Sequence, residues 1–275
     1  MVRRHELTDE EWELLEPLLP RGAFGRPRRD DRMVLNGIVW KFRTGVAWRD
    51  VPDRYGPWAS LHTRFRRWAR DGTADAEDRA GPGRCRRGHR LAGRGRLHDR
   101  QSPPACGRSP KRGLRSRALG RSRGGLTSKI HLAVDGQGRP LAFTLTSGNT
   151  NDCTQFTTVM DAIHVPRPAD GRPRRRPDRV VADKAYSSRA IRHWLRRHHI
   201  ACIIPERVDQ QAGRRRRGSD GGRPPHFDPG LYARRNVVER SFNQLKQWRG
   251  LATRYDKTAE SYTAAITLAS ILMWT

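Results

Sequence analysis

Hydrophobic residues recur at helical spacing along the N-terminal part of the chain. Residues 7–20 place apolar side chains three and four positions apart and carry Thr8 and Glu11 at the spacing of a capping box. Residues 30–44 continue this spacing, and Gly45 is the expected C-cap. The pattern predicts two amphipathic helices in succession.

A third helix, with a basic outer face, is predicted for residues 60–72, with Ser60 as its N-cap. Its outward-facing cations are Arg64, Arg66, Arg67 and Arg70. Two helices followed by a basic helix are typical of a helix-turn-helix-like domain, although a small bundle with a solvated basic face has the same pattern. We assign this small all-α domain to residues 1–74.

Short apolar strands alternate with helices from residue 118 onward. Residues 129–134 and 140–146 alternate apolar and polar positions around Asp135, which we interpret as a turn residue, so they predict a hairpin. A helix, the strand 179–183, a helix, another strand, an Arg/Gly loop and a last helix follow. This order predicts an α/β domain over residues 118–275, and Asp183 stands at a strand end, where such folds build sites.

Residues 75–117 form an anomalous segment between these two parts. Arg, Gly and Pro account for 23 of the 39 residues in 79–117, and this stretch contains no Phe, Trp or Tyr. Such a composition does not build a core. The segment is either a basic linker that orders on nucleic acid or a stretch whose coding frame has been lost. The second interpretation can be checked on the codons, because reading those of residues 96–99 in a frame shifted by one base permits the peptide Asp-Ser-Thr.

Positive charge dominates the composition, because 56 Lys and Arg against 28 Asp and Glu give a formal net charge of +28. Such an excess favours a polyanionic partner, with nucleic acid ahead of an anionic membrane surface. The N-terminus has no apolar signal core and the longest apolar stretch, residues 264–274, is short, so we expect a cytoplasmic protein with no membrane partner. The four cysteines are far apart and suggest neither zinc nor disulfides.

Four chemically distinctive residues recur within residues 232–246, namely Tyr232, Arg235, Glu239 and Lys246. On a single helix they fall within an arc of about 60°. One interpretation is a solvated helix with an Arg235/Glu239 ion pair. The other is a catalytic stripe, because phosphodiester chemistry commonly uses two magnesium ions held by carboxylates from separate elements, and Asp183 and Glu239 suit that role.

These residues resemble the DDE transposases of bacterial insertion sequences, in the IS5 family of the IS4/IS5 group. Its hallmark Y-R-E-K signature is reproduced as Tyr232-x2-Arg235-x3-Glu239-x6-Lys246, and VVADKAYSS resembles the segment that carries the family's second aspartate, here Asp183. The resemblance extends over LGRSRGGLTSKIHLAVDG, the C-terminal tail and the N-terminal block. It therefore covers nearly all of the chain outside residues 75–117.

The resemblance implies an RNase H-like catalytic core, a mixed sheet with flanking helices, that binds Mg²⁺ or Mn²⁺ through Asp183 and Glu239. Lys246 and Arg235 would contact phosphates near the cleaved bond, and Tyr232 would position the backbone or a flanking base. The family's first aspartate belongs in an Asp-Ser-Thr stretch inside the anomalous segment, where the translated chain offers only Asp99 without a strand pattern around it. The chain is then a transposase that lacks one metal ligand as translated.

The implied partners are double-stranded DNA, as terminal inverted repeats and target, and further copies of the chain assembled on that DNA. The basic helix would contact the repeats, and the arginine runs 174–176 and 214–217 either line the DNA path or are solvated. The alternatives are a catalytically dead remnant that still recognises element ends and a basic protein that coats nucleic acid without preference.

Overall fold

The computed structural model describes residues 4–20, 29–71, 90–93, 120–122, 125–166, 172–256 and 258–275. Its α-helices are α1 (Asp9–Leu15), α2 (Asp31–Thr44), α3 (Trp58–Arg70), α4 (Phe156–Asp161), α5 (Arg189–Arg197), α6 (Val208–Arg216), α7 (Pro229–Ala233), α8 (Asn236–Gln247), α9 (Arg249–Thr253) and α10 (Ala259–Ile271). Its strands are β1 (Arg90–Gly93), β2 (Gly120–Ser122), β3 (Gly125–Val134), β4 (Pro140–Ser147), β5 (Arg179–Ala182) and β6 (Ala201–Ile203). The chain is thus a mixture of helix and sheet with a helical N-terminal region.

The first helices begin and end largely where the sequence predicts. The Thr8 hydroxyl accepts from the Glu11 amide at 3.1 Å and the Glu11 carboxylate accepts from the Thr8 amide at 2.8 Å, so the capping box is confirmed. Gly45 ends α2 with φ of +75°, as expected for a left-handed C-cap. The Ser60 cap is wrong, because Pro57 is the N-cap of α3 and the Ser60 amide already donates to the Pro57 carbonyl.

Two sets of strands form the sheet structure. The strands β1, β5 and β6 are parallel in the order β1-β5-β6, and β2, β3 and β4 are antiparallel in the order β2-β3-β4. Strand β1 also contacts β3, which brings the two sets side by side. In the β3–β4 hairpin the Asp135 carboxylate accepts from the amides of Gln137 and Arg139, each at 2.9 Å, which confirms its role in the turn.

Both faces of this sheet are buried. Alternate side chains of a strand point to opposite sides of the sheet, and those of β3 enter two different cores. Ile130, Leu132 and Val134 of β3 pack into a core with α8, α10 and the N-terminal helices. Ala133 of the same strand lies in a second core with α4 and α5. Helices therefore cover the sheet on two sides, and the ends of the strands are left for polar residues.

The N-terminal helices share a core with the C-terminal helices. Helix α3 contacts α10 and α2 contacts α9. The Lys41 ammonium of α2 lies 2.7 Å from the Asp256 carboxylate, and only 1% and 9% of these two side chains are exposed. The residues predicted as two domains are thus packed together through apolar contacts and one buried ion pair.

Two elements differ from the expected pattern. The Arg/Gly-rich stretch predicted as a loop begins inside α6, so its first residues are helical. The Arg214 guanidinium of α6 donates to the Glu206 carboxylate at 2.6 Å and ties the helix to the segment before it. Strand β1 lies within the anomalous segment 75–117, because parallel pairing with β5 uses backbone groups and does not depend on an apolar pattern. The rest of that segment, Asp99 included, lies outside the described residues. Among the described helices, none has the length and apolar character of a membrane span.

Candidate active site

Asp183 lies at the carboxyl end of β5, one residue beyond the last strand position. Its half-buried carboxylate accepts from the amide of Lys184 at 2.7 Å and caps the short 3-10 turn Lys184–Tyr186. The same carboxylate is a hydrogen-bond partner of the Tyr232 phenol. The strand end and α7 are therefore joined through a carboxylate and a phenol.

Tyr232 is surrounded by the other candidate residues. Burial raises the pKa of its phenol; the Arg235 guanidinium opposes this rise, while Asp183, through its charge and hydrogen bond, and Glu239 add to it. The ring of Phe227 lies 5.3 Å from the Tyr232 ring between centroids. These influences show that Asp183, Arg235 and Glu239 are all close to one phenol.

Arg235 and Glu239 form an ion pair on the exposed side of α8. The distance from Arg235 Nη2 to Glu239 Oε1 is 3.3 Å, and the Arg235 guanidinium also lies 5.4 Å from the centre of the Tyr232 ring. The Glu239 side chain is 56% exposed, so it is open to a ligand. An exposed pair of this kind stabilises a helix by only about 0.3 to 0.5 kcal/mol.

The prediction of one continuous helix through residues 232–246 is wrong. Tyr232 belongs to α7, while Glu239 and Lys246 belong to α8, and Arg235 is the N-cap of α8. The amides of Arg235, Val237 and Val238 donate three residues back, which tightens the backbone and interrupts the α-helical ladder between the two helices. Tyr232 is therefore directed toward Asp183 from a separate element.

The orientation of α8 is set by the contacts of its buried face, and these contacts decide which residues of the helix are exposed. Val238, Phe242 and Leu245 pack into the core, and the fully buried Ser241 hydroxyl donates to the Gly138 carbonyl of the hairpin turn at 2.6 Å. Lys246 is exposed near the end of the helix, about two turns beyond Glu239. Lys246 thus lies on the same face of α8 as Glu239, about 10 Å further along the helix axis.

The arginines predicted for α3 divide into two kinds. Arg66, Arg67 and Arg70 are exposed, and Arg67 forms a loose ion pair with the following turn. Arg64 is mostly buried and bonded to the Asp31 carboxylate of α2. Of the four, Arg66 and Arg70 are exposed and form no ion pair among the described residues.

A buried polar cluster adjoins this site and was not identified from the sequence. Lys129 Nζ lies 3.1 Å from Asp152 Oδ1, and His131 Nδ1 lies 3.5 Å from the same oxygen. Burial lowers the pKa of His131 to about 4, although Asp152 opposes the change. The turn at Asp152–Gln155 contacts the turn after Asp183. The sequence pattern that indicates this cluster is the presence of two polar residues, Lys129 and His131, on the same face of a largely buried strand.

The carboxylates present are suited to a hard divalent cation. Asp183 and Glu239 supply oxygen ligands, and Mg²⁺ is usually bound by one or two carboxylates together with waters and substrate phosphates. Among the described residues, no group of three or more His, Cys, Asp or Glu side chains is arranged to hold a metal. The two carboxylates suit one such ion, which would complete its shell with waters and substrate phosphates.

Comparison with known families agrees with this geometry. A family model described as "Transposase DDE domain" matches residues 91–274. The chain belongs to this DDE transposase family. A second model, described as "Putative transposase of IS4/5 family", matches residues 7–76, so the resemblance to the IS4/IS5 group of DDE transposases is confirmed.

Several curated proteins are similar to this DDE transposase chain. It is 36% identical over 146 residues to the "Putative transposase for insertion sequence element IS402" of Burkholderia cepacia, covering 53% of the chain and 62% of that protein. It is 27% identical over 149 residues to the "Putative transposase for insertion sequence element IS6501" of Brucella ovis, covering 54% of the chain and 98% of that protein. It is 35% identical over 71 residues to "Uncharacterized protein y4sN" of Sinorhizobium fredii, covering 25% of the chain and 57% of that protein. The chain thus spans less than two thirds of the Burkholderia and Sinorhizobium relatives.

Proposed function

We propose that the chain is an insertion-sequence transposase that binds terminal inverted repeats and belongs to the enzymes that cleave and join DNA with a divalent metal. The observation that carries this proposal is the convergence of Asp183, Tyr232, Arg235 and Glu239, from a strand end and two helices, at one place. A surface ion pair alone would not bring in Asp183 and the phenol.

The strand arrangement supports an RNase H-like core. Strand β1 lies between β5, with which it pairs in parallel, and β3, which belongs to the antiparallel set. Helices flank both faces, and the candidate carboxylates stand at the end of β5 and on the late helix α8. We assign residues 118–275, together with β1, to this core.

In this proposal Asp183 and Glu239 hold Mg²⁺ or Mn²⁺. The bound ion would lower the pKa of a nucleophilic water or 3′-hydroxyl and stabilise the negative charge on the leaving oxygen. Arg235 screens Glu239 and is close enough to contact a phosphate near the reacting bond. The Tyr232 phenol donates to Asp183, which fixes the orientation of that carboxylate. Lys246, further along α8, would contact the DNA backbone.

Within the described residues, the strand next to β5 supplies no carboxylate to the proposed site. Gly93 of β1 is in register with Ala182, so the end of β1 is next to Asp183, where a carboxylate from the adjacent strand would complete the site. The four residues of β1 are Arg, Leu, Ala and Gly. This favours a second candidate function, a DNA-binding remnant that recognises element ends without cutting them.

The DNA-contacting helix is α3 in this proposal. Its exposed Arg66 and Arg70 project from a helix held on α2 and α10, and the net charge of +28 favours association with DNA. We place this activity in the cytoplasm, with several copies of the chain on the two element ends.

Metal binding tests the proposed carboxylate site in the chain as it stands. We expect Mn²⁺, titrated by electron paramagnetic resonance, to bind at least about tenfold more weakly after Glu239→Gln or Asp183→Asn. Glu260→Gln is the matched control, because Glu260 is also exposed and lies on a different helix, α10. Equal Mn²⁺ affinity in all three variants would refute the assignment of these carboxylates.

DNA binding tests the remaining part of the proposal. The chain should retard DNA that carries the element's terminal repeats in preference to unrelated DNA of the same length. Arg66→Gln and Arg70→Gln in α3 should remove this preference. Equal retardation of both DNAs by the unsubstituted chain would favour a basic protein that coats nucleic acid.

A further inference from the structure

A second basic surface lies beside the candidate active site, in a cleft between α5 and α6. The cleft has a volume of about 800 Å³ and is lined on several sides by guanidinium groups. We call it the α5–α6 cleft. Its arginines are Arg189, Arg192, Arg196, Arg214, Arg217 and Arg223. Two carboxylates, those of Glu206 and Asp209, are also present in its wall.

The two carboxylates of the cleft are already engaged. Glu206 Oε2 lies 2.6 Å from Arg214 Nη2, and Asp209 Oδ2 lies 3.1 Å from a guanidinium nitrogen of Arg207. Within the part of the chain that the structure describes, no ion pair is formed by the exposed arginines of the cleft, which are Arg189, Arg196, Arg217 and Arg223. The cleft therefore carries uncompensated positive charge.

The walls of the cleft are fixed by internal hydrogen bonds. Arg192 donates to the Ser187 hydroxyl at 3.0 Å and to the Ile204 carbonyl at 2.8 Å, which joins α5 to the segment after β6. The Gln210 amide of α6 donates to the Ser187 carbonyl at 2.5 Å. A Cβ on Gly221 would lie 2.2 Å from the Arg214 carbonyl oxygen, so the corner after α6 is closely packed. The exposed guanidinium groups are thus presented by a preformed surface.

Two residues that line the cleft lie close in the chain to residues of the candidate active site. Ser188, which lines the cleft, caps α5 shortly after Asp183 in the chain. At the other end His226 lines the cleft, and the adjacent Phe227 contacts the Tyr232 ring that bonds to Asp183. The cleft is therefore joined to the candidate active site by a short segment of chain on two sides, within reach of a polymer bound at Asp183.

We propose that the α5–α6 cleft binds the phosphodiester backbone of the DNA flanking the bond held at Asp183 and Glu239. The inference rests on the proposed function and specifies where the substrate extends. Arginine suits this role because its planar guanidinium binds phosphate oxygens in pairs. Arginines spread over an open cleft match the repeated phosphates of a polymer better than one small anion.

Two triple variants with the same change in charge test this proposal. The cleft variant removes three exposed, unpaired guanidinium groups through Arg189→Gln, Arg217→Gln and Arg223→Gln. The control removes three exposed guanidinium groups of α5 and α6 that do not line the cleft, through Arg197→Gln, Arg215→Gln and Arg216→Gln. Thermal melting of each variant checks that the fold is retained.

DNA affinity is measured by fluorescence anisotropy on a short duplex over a series of salt concentrations. Each lost phosphate contact lowers the slope of log affinity against log salt by about 0.9, so the cleft variant should lose about 2 to 3 and the control less than about 1. The charge-preserving variant Arg189→Lys/Arg217→Lys/Arg223→Lys should keep a slope close to that of the unsubstituted chain. Equal losses in the cleft variant and the control would overturn the proposal.

Two further outcomes separate this inference from the proposed function. If the unsubstituted chain does not bind DNA, both fail. If it binds DNA and the cleft variant binds equally well, only the inference fails. Calorimetry with pyrophosphate supplies the last comparison, because pyrophosphate binding that is lost in the cleft variant while DNA binding is unchanged would identify a small-anion site and also overturn the proposal.

Discussion

The buried ion pair between Lys41 and Asp256 predicts a large loss of stability when one partner is removed. Asp256→Asn leaves the Lys41 ammonium, of which 1% is exposed, without its counter-charge. Removing one member of such a pair costs about 3 to 5 kcal/mol. The ammonium also lies 4.0 Å from the ring of Phe42 and 5.0 Å from that of Trp48, which offsets about 1 kcal/mol, so we expect a loss near 3 kcal/mol.

A double-mutant cycle measured by urea denaturation checks this value. Lys41→Met with Asp256→Asn removes both charges, so the double variant should lose much less stability than the sum of the two single variants. Burial already lowers the pKa of Lys41 against the opposing charge of Asp256. In Asp256→Asn that pKa falls further, the unfolded chain binds the extra proton, and the deficit should therefore shrink as pH rises toward 10.5.

A cost below about 1 kcal/mol for Asp256→Asn, with additive single variants, would refute this reasoning. Such a result would mean that the ammonium is hydrated and that the helices near the N-terminus are not held to those near the C-terminus through this pair. The pH series provides a separate check, because a purely steric defect would give a deficit that does not depend on pH.

Four other substitutions have defined outcomes. His131 has a pKa of about 4 in the folded chain and 6.5 when unfolded, so stability should fall by up to about 3 kcal/mol as pH drops from 6.5 to 4, and His131→Gln should flatten that part of a urea-denaturation pH series. Gly250→Ala should cost about 1 to 3 kcal/mol in urea denaturation, because a Cβ there would lie 2.9 Å from Phe42 Cα. Thr8→Ala removes a helix cap and should cost about 1 kcal/mol, while Ser60→Ala, which removes no cap, should cost much less. A flat pH response in the unsubstituted chain would contradict the first account, and a Gly250→Ala or Thr8→Ala variant as stable as the parent would contradict the account of that substitution.

Local chemistry predicted much of the fold. The Thr8 capping box, the Gly45 cap and the Asp135 turn depend on neighbouring residues, so the sequence contains the information needed to place them. The position of Asp183 after a short apolar strand also followed from the pattern.

Other features depend on contacts between distant parts of the chain. The sequence could not reveal that Tyr232 reaches Asp183 from its own short helix, because the break between α7 and α8 keeps right-handed helical backbone angles and lacks Gly or Pro. Helix α6 depends on Arg214 bonding to Glu206 outside the helix, and β1 depends on pairing with β5. The pattern also gave no reason to place Asp152 beside Lys129 and His131.

DNA cleavage by two versions of the chain, compared side by side, tests the central claim most directly. The first is the chain as translated, and the second carries the anomalous segment re-read in the frame that permits Asp-Ser-Thr. Both are incubated with Mg²⁺ and DNA that contains the element ends. We predict that the translated chain binds without nicking, and that the re-read chain nicks in a manner abolished by Glu239→Gln and unaffected by Glu260→Gln. If the translated chain nicks DNA and Glu239→Gln abolishes that nicking, the claim that a metal ligand is missing is contradicted. If the re-read chain binds the element ends without nicking them, the assigned active site is contradicted.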